Sequence, residues 1–201
     1  MPRLGLEFFR RDDVIKISRQ LLGKSLMTKL PGAPVTGGVI VETEAYSGPE
    51  DKASHAFDNR RTKRTEVMFT VGGVAYVYLC YGIHSLFNVV TGSEGIPHAV
   101  LIRAIQPTHG TQQILERTGR TKIEKAVSAG PGRLTRALGI DTGHTGEDLT
   151  GDTIWIENDS ECLGDKDIAS GPRIGLVDYA GEYAKKPWRF WIKNSEWVSS
   201  T

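Results

Sequence analysis

The sequence predicts an α+β fold: one domain over residues 1–201, with a curved, largely antiparallel β-sheet core and surrounding helices. Two observations carry this. Strand-like runs and helical stretches follow one another in mixed order, as in an antiparallel sheet with helices beside it. The length of 201 residues, with 39% hydrophobic and 24% charged, suits a single buried core of ordinary composition.

The elements follow in order. Asp12 is placed to cap a helix carrying Val14, Ile17, Leu21 and Leu22 on one side, stopped by Gly23. A strand over Ser25–Leu30 reaches the turn Pro31-Gly32-Ala33-Pro34, and a second strand spans Gly37–Tyr46. Its alternation sets Val39, Val41, Thr43 and Ala45 on one face and Ile40, Glu42, Glu44 and Tyr46 on the other. Buried strands rarely carry two carboxylates on one side, so that face is expected to meet solvent or a cleft. Ser47–Thr65 is polar, basic and aperiodic, a loop of a length that is often functional. Val74–Tyr81 and Leu86–Thr91 are β-branched and aromatic runs around Gly82-Ile83-His84-Ser85, a β-hairpin pattern. His98–Ile105 is a further strand closed by Pro107, and Gly110–Leu138 is helical with a break near Ala129–Gly132. Short strands at Thr153–Glu157, Ile174–Val177 and Arg189–Lys193 complete the chain.

Several function classes are disfavoured. No apolar run reaches the ~18 residues that span a bilayer, and MPRLGLEFFRRDD has no signal-peptide core, so a cytoplasmic address is expected. Cys80 and Cys162 are too few for a disulfide framework or a four-thiolate zinc site. The five histidines lack metal-ligand spacing, and no metal is expected. Gly130-Pro131-Gly132 lacks the third glycine and the preceding strand of a dinucleotide fingerprint. It reads better as a helix start with proline in first position, whose free amides suit a phosphate. The net charge is only +1, yet Arg60, Arg61, Lys63 and Arg64 cluster, as do Arg117–Arg136 and Lys185–Lys193.

What remains is a polar and aromatic set: Glu42, Glu44 and Tyr46 on one strand, His55 in the loop, Tyr76, Tyr78 and Tyr81 on the hairpin, and Asn88 and Arg103 beyond. Tyr76 and Tyr78 share a face by period two. On physical grounds alone this is a cleft able to stack a flat ligand.

The segments VETEAYSGPEDKASHA (41–56), VAYVYLCYGIHSLFNVV (74–90), HAVLIRAIQP (98–107), AGPGRLTRALGI (129–140) and RIGLVDYAGEYAKKPWRFW (173–191) together resemble the alkyladenine, or 3-methyladenine, DNA glycosylase family of bacteria and mammals. The likeness runs in one order over nearly the whole chain. It implies a single domain whose protruding β-hairpin intercalates into DNA, and a base-excision-repair hydrolase that leaves an abasic site. Its substrates would be alkylated or deaminated purines: 3-methyladenine, 7-methylguanine, hypoxanthine and ethenoadenine. By the resemblance, Glu44 is the general base that activates water and Arg103 helps to position that water. Tyr46, His55 and Tyr78 sandwich the extruded base, and Asn88 excludes normal guanine. Tyr81 fills the vacated space in the duplex, with Ile83 beside it where mammalian relatives carry methionine, and His84 stands in place of a tyrosine. Arg60, Arg61, Lys63 and Arg64 are expected on the DNA backbone. The implied partner is damaged double-stranded DNA, met by a monomeric, nucleoid-associated bacterial protein with no cofactor, no metal and no membrane contact.

Each role is physically sensible. A glycosidic bond inside a stacked duplex is out of reach, so the nucleotide must be flipped out at a cost of a few kcal/mol. Glutamate is an ionised base at neutral pH. Alkylation at N3 or N7 makes a purine cationic, and a cation gains roughly 0.5–2 kcal/mol over an aromatic face. Two other readings compete. A glycoside hydrolase using Glu42 and Glu44 would need carboxylates flanking the scissile bond, whereas these two are about 6.5–7 Å apart along one strand. A non-catalytic nucleic-acid module or lesion sensor would use the same aromatic cleft for stacking alone.

Overall fold

The computed structural model describes residues 2–158, 163–176 and 180–199. Its centre is the twelve-residue strand β2 (Thr36–Ser47). One edge of β2 is shared: β1 (Ser25–Thr28) pairs with Thr36–Val39, and β8 (Arg189–Ile192) pairs with Glu42–Glu44. Beyond β1 lies β6 (Ile154–Glu157), and beyond β8 lies β7 (Ile168–Gly171). The other edge carries β5 (His98–His109), then β4 (His84–Thr91), then β3 (Ala75–Cys80). Every pairing is antiparallel, as the sequence predicts.

The fork coincides with a β-bulge. Ile40 faces Ile105 but Glu42 faces Ala104 and Thr43 faces Ile102, so the register slips on either side of Glu42. The simple alternation therefore fails. Ile40 lies in the main hydrophobic core with Ala45, not on the side of Glu44. A bulge adds a residue to one strand and reverses the pleat beyond it, which neither composition nor period reveals.

The sheet has an apolar face and a cavity face. Val77, Val89, Val100 and Ile102 alternate into the main core, together with Ile17 and Leu21 of helix α2 (Val14–Leu21), which follows the short α1 (Leu6–Phe9). Ser18 of α2 donates to Thr43 Oγ1 at 2.9 Å. The cap of α2 is Asp13, which accepts from the Lys16 amide at 2.9 Å. Asp12, expected there, instead accepts from the amide and hydroxyl of Ser93. A side-chain cap must directly precede the first helical residue, and here that is Val14.

Two boundaries also differ from expectation. β5 continues through Pro107 to His109, because Pro107 sits opposite Gly38 at a register shift where a ladder donor is dispensable. A Cβ on Gly38 would lie 2.3 Å from Gln106 O, so this close crossing requires glycine. No strand forms over Ile174–Leu176, which lie in and after a turn; Val177 is outside the described residues. The strand pairing with β8 is Ile168–Gly171, whose weakly apolar sequence gives no strand signal of its own.

Helices α3 (Thr111–Thr118) and α4 (Pro131–Leu138) each end on a left-handed glycine, Gly119 and Gly139. α4 starts where the Gly130 amide donates to Arg103 O at 3.0 Å, and it braces the β3–β4 hairpin. Thr135 donates to Ser85 O at 2.7 Å, and a Cβ on Gly132 would meet His84 at 2.9 Å. At the tip, Ile83 donates to Cys80 O at 3.1 Å across Tyr81 (φ 51) and Gly82 (φ 70). A left-handed tyrosine is costly, and here it turns the ring outward. Leu79, Tyr81 and Ile83 are 49%, 89% and 74% exposed, an apolar tip that asks for a partner. Residues 48–69, expected as a loop up to Thr65, wind through turns and two short 3-10 segments over the cavity face; α5 (Glu182–Lys185) flanks it.

Candidate active site

Strand register assembles the site. Tyr76 pairs with Asn88, Asn88 with Leu101, and Leu101 with Glu44, so four neighbouring strands present one row of side chains. All four line a cavity of about 440 Å³. One step along, Tyr78, Leu86 and Arg103 form a second row, and Tyr46 borders the first on its other side. The overlying segment brings His55 and Arg64 to the same cavity, and Tyr81 stands at its mouth. The six residues expected at the catalytic centre and base pocket (Glu44, Arg103, Tyr46, His55, Tyr78 and Asn88) therefore converge on one space.

Glu44 is wholly buried. Its carboxylate accepts from the Tyr46 hydroxyl at 2.9 Å and the Ile174 amide at 2.8 Å, and lies 3.2 Å from Arg103 Nη1. Burial, then the charge of Glu44 and the Tyr78 hydroxyl, push the Tyr46 phenol well above its ordinary range, against the pull of Arg173. Tyr46 thus stays protonated and donates to Glu44. A carboxylate offers about four lone-pair sites. With three engaged, Glu44 is oriented yet can still accept from one more donor.

Glu42 behaves differently from the expectation of a cleft-facing or solvated carboxylate. It is fully buried away from the cavity and accepts from Arg103 Nε (2.9 Å), Arg189 Nε (2.7 Å), and the Ser199 amide (2.7 Å) and hydroxyl (2.9 Å). Two carboxylates and two guanidiniums compensate one another, which is how β2 carries Glu42 and Glu44 out of water. Burial alone would lower the Arg103 guanidinium, but the charges of Glu44 and Glu42 overcome it and raise it. Arg189, which the sequence groups with the basic residues of Lys185–Lys193, belongs to this buried cluster instead.

The aromatic wall is tied together by hydrogen bonds. The rings of His55 and Tyr78 meet edge-to-face at 4.6 Å, and Tyr76 is tilted 5.4 Å from Tyr78. Arg64 donates to His55 Nε2 at 2.9 Å. The same arginine nitrogen, Nη2, lies 3.4 Å from Nδ1. With the nearer nitrogen, Nε2, accepting from the arginine, which can only donate, Nδ1 carries the hydrogen that faces the Tyr76 hydroxyl at 2.9 Å. Burial, then the charges of Arg64 and Arg60, lower His55 from 6.5 to about 4. The imidazole is neutral at physiological pH. An NMR titration of His55 should have its midpoint near 4. Stability should fall as pH drops from 6.5 towards about 4, since only the unfolded chain takes up the proton there. A midpoint at the ordinary value would refute this wiring.

Asn88 is buried, and its side-chain amide donates to Tyr76 O (3.1 Å) and Leu86 O (3.3 Å). Both amide hydrogens are committed, so the side chain is fixed in place with Oδ1 as its remaining polar atom.

The residues expected on a polyanion backbone do not act alike. Arg60, Arg61 and Lys63 are exposed. Arg61 pairs with Glu66 at 3.1 Å and covers Phe69 at 4.3 Å. Arg64 is exposed as well, but its guanidinium reaches the cavity and lies 4.7 Å from the Tyr78 ring centroid. Ile83 faces away from the cavity, lining a second depression of about 460 Å³ with His84, Arg120, Arg133 and Arg136.

Sequence reasoning missed the support behind Tyr46. Arg173 and Asp51 form a fully buried ion pair, and Arg173 also donates to Ala45 O at 2.8 Å and Tyr183 O at 3.1 Å. Its guanidinium lies 4.6 Å from the Tyr46 ring, and the next residue supplies the Ile174 amide that holds Glu44. A backbone amide leaves no side-chain signal, and Asp51 and Arg173 are 122 residues apart.

Comparison with known proteins came to one result. The family model described as methylpurine-DNA glycosylase matches residues 7–196. A relative from Chlamydia felis is 47% identical over 184 residues, covering 91% of this chain and 92% of its own length. One from Bacillus cereus (strain G9842) is 45% identical over 199 residues, covering 95% and 96%. One from Desulfitobacterium hafniense is 43% identical over 207 residues, covering 99% of each. All three carry the provisional name 3-methyladenine DNA glycosylase.

Proposed function

The chain belongs to the methylpurine-DNA glycosylase family and is a DNA glycosylase, and from that premise we propose that it flips alkylated or deaminated purines out of duplex DNA and hydrolyses their glycosidic bond with water activated by Glu44. The observation that carries this reading is the setting of Glu44: a buried carboxylate on the wall of an aromatic cavity, oriented by Tyr46, Ile174 and Arg103.

Water on the open acceptor site of Glu44 gives up a proton as its oxygen bonds to C1′ of the sugar, and the C1′–N9 bond breaks with its electron pair going to the base. A cationic N3- or N7-alkylated base leaves neutral. A neutral base such as hypoxanthine must collect a proton or hydrogen bonds as it leaves, which makes it the harder substrate. The anionic carboxylate also stabilises oxocarbenium character at C1′. Arg103, tethered to Glu42, fixes the direction from which water reaches Glu44.

Tyr46, His55 and Tyr78 form the base pocket in this reading. Asn88 discriminates by volume, because its amide hydrogens are spent on backbone carbonyls and the side chain is unable to move aside for a guanine amino group. Tyr81 fills the gap left in the duplex, supported by its exposure and by the bracing of the hairpin on α4. Among the described residues no lysine lines the cavity, which supports simple hydrolysis over Schiff-base strand cleavage.

The test is direct. Duplexes containing hypoxanthine, ethenoadenine or 7-methylguanine are incubated with the protein and then treated with alkali. Strand scission should appear only after alkali. Absence of abasic sites on every duplex would overturn the proposal, and scission before alkali would overturn its monofunctional part.

A further inference from the structure

The charges lining the cavity do not cancel. Among the described residues Glu44 is its single carboxylate, whereas Arg103 and Arg64 both line it. Behind the wall, Glu42 is matched by Arg189, and Asp51 by Arg173. Arg64 is the excess cation, and it sits on the aromatic surface. Its guanidinium lies 4.7 Å from the Tyr78 centroid, with Nη2 at 2.9 Å from His55 Nε2 and Nε at 3.3 Å from the Tyr76 hydroxyl. Its neighbour Arg61 is neutralised by Glu66; among the described residues no carboxylate pairs with Arg64.

The backbone favours this inward pose. Thr65 is buried, its hydroxyl donating to Arg60 O at 2.8 Å and accepting from the Thr62 amide at 2.9 Å. That turn holds Arg64 beside the cavity. On the opposite side Tyr46 already carries the locked guanidinium of Arg173. Both tyrosine walls thus have their π-electrons engaged by an arginine before any base arrives. A second cation brought to such a ring meets repulsion where an empty ring would attract it.

We propose that Arg64 is a specificity-determining residue, whose guanidinium on Tyr78 and His55 disfavours cationic purines and favours neutral ones in the base pocket. The proposal rests on the base-flipping reading above. It reverses the simple expectation that an aromatic box gains from a charged base. A cationic purine can bear the penalty because its bond is already weak. A neutral purine, with the harder bond to break, gains the better-fitted pocket: hydrogen-bond donors on Arg64 and a neutral His55 held in one tautomer.

The experiment compares wild type, Arg64→Ala and Arg64→Lys in single-turnover release of 7-methylguanine and of hypoxanthine from otherwise identical duplexes. Thermal melting checks folding, which an exposed residue should leave intact. Arg64→Ala should raise the ratio of 7-methylguanine to hypoxanthine release by about tenfold, the scale of one like-charge contact near a protein surface. Arg64→Lys, which keeps the charge, should stay near the wild-type ratio. The His55 midpoint should rise in Arg64→Ala, a change that a loose surface contact would not produce. An unchanged ratio, with binding to damaged and undamaged duplex reduced alike, would make Arg64 a phosphate contact and overturn the proposal while leaving the glycosylase reading intact. Wild type that releases neither base would overturn both.

Discussion

Glu44→Gln should lose base release by about 10²–10⁴-fold while still binding damaged duplex. The substitution keeps the shape of the side chain. A glutamine Oε1 can accept from the Ile174 amide as the carboxylate does, and its amide nitrogen can donate to the Tyr46 hydroxyl. Arg103 retains Glu42 as a partner, so removing one charge does not strand a buried guanidinium. What disappears is the capacity to take a proton from water and to stabilise positive charge at C1′. Gel-shift affinity for a hypoxanthine duplex and single-turnover release on the same duplex separate binding from chemistry. Release at the wild-type rate would remove Glu44 from the mechanism. Tight lesion binding by wild type without any release would instead support a lesion sensor.

The fold was largely legible because its strands alternate honestly. Val77, Val89, Val100 and Ile102 enter the main core, while Tyr76, Asn88, Leu101 and Glu44 face the cavity. Period-two patterning holds through β3, β4 and β5, and β-branched runs around a glycine suffice for the hairpin. Legibility ended where a long-range partner decides the outcome. The bulge at Glu42 depends on how β2 meets both β5 and β8, so Ile40 fell on the wrong face. β7 exists because β8 offers it an edge, and its own four residues hardly suggest a strand.

The site divides the same way. Glu44, Tyr46, His55, Tyr78, Asn88 and Arg103 were identifiable as chemistry-bearing residues, and register brings them together. A count of basic residues treated Arg60, Arg61, Lys63 and Arg64 as one cluster of DNA-backbone contacts. Their directions separate them: Arg61 bonds Glu66, and Arg64 bonds His55 and covers Tyr78. Arg189 was grouped with Lys185–Lys193 for a related reason, since an arginine in sequence gives no notice of a buried carboxylate 147 residues away. The Ile174 amide carries no residue-type signal at all.

That buried cluster supports the second large effect. Glu42→Ala should destabilise the fold by about 3–5 kcal/mol, the cost of removing one member of a buried ionic group. Four donors on Arg103, Arg189 and Ser199 lose their acceptor, and two of them belong to buried guanidiniums. The alanine is too small to fill the space, while the low-dielectric surroundings make an unpaired charge expensive. Glu42→Gln should cost less, because its Oε1 still accepts a hydrogen bond. Activity should decline in both variants even at temperatures where they remain folded. Arg103 has two carboxylate anchors, Glu42 and Glu44, beside a 3.4 Å contact to the Ser199 hydroxyl, and without the first its charge turns to the second. It then occupies the acceptor site that Glu44 needs for water. Urea denaturation gives the stability change, and single-turnover release well below the melting temperature gives the rate. A Glu42→Ala protein that unfolds at the wild-type urea concentration would mean that solvent reaches this cluster. A variant that is destabilised but releases base at the full rate would confine Glu42 to the fold and leave Arg103 held in place without it.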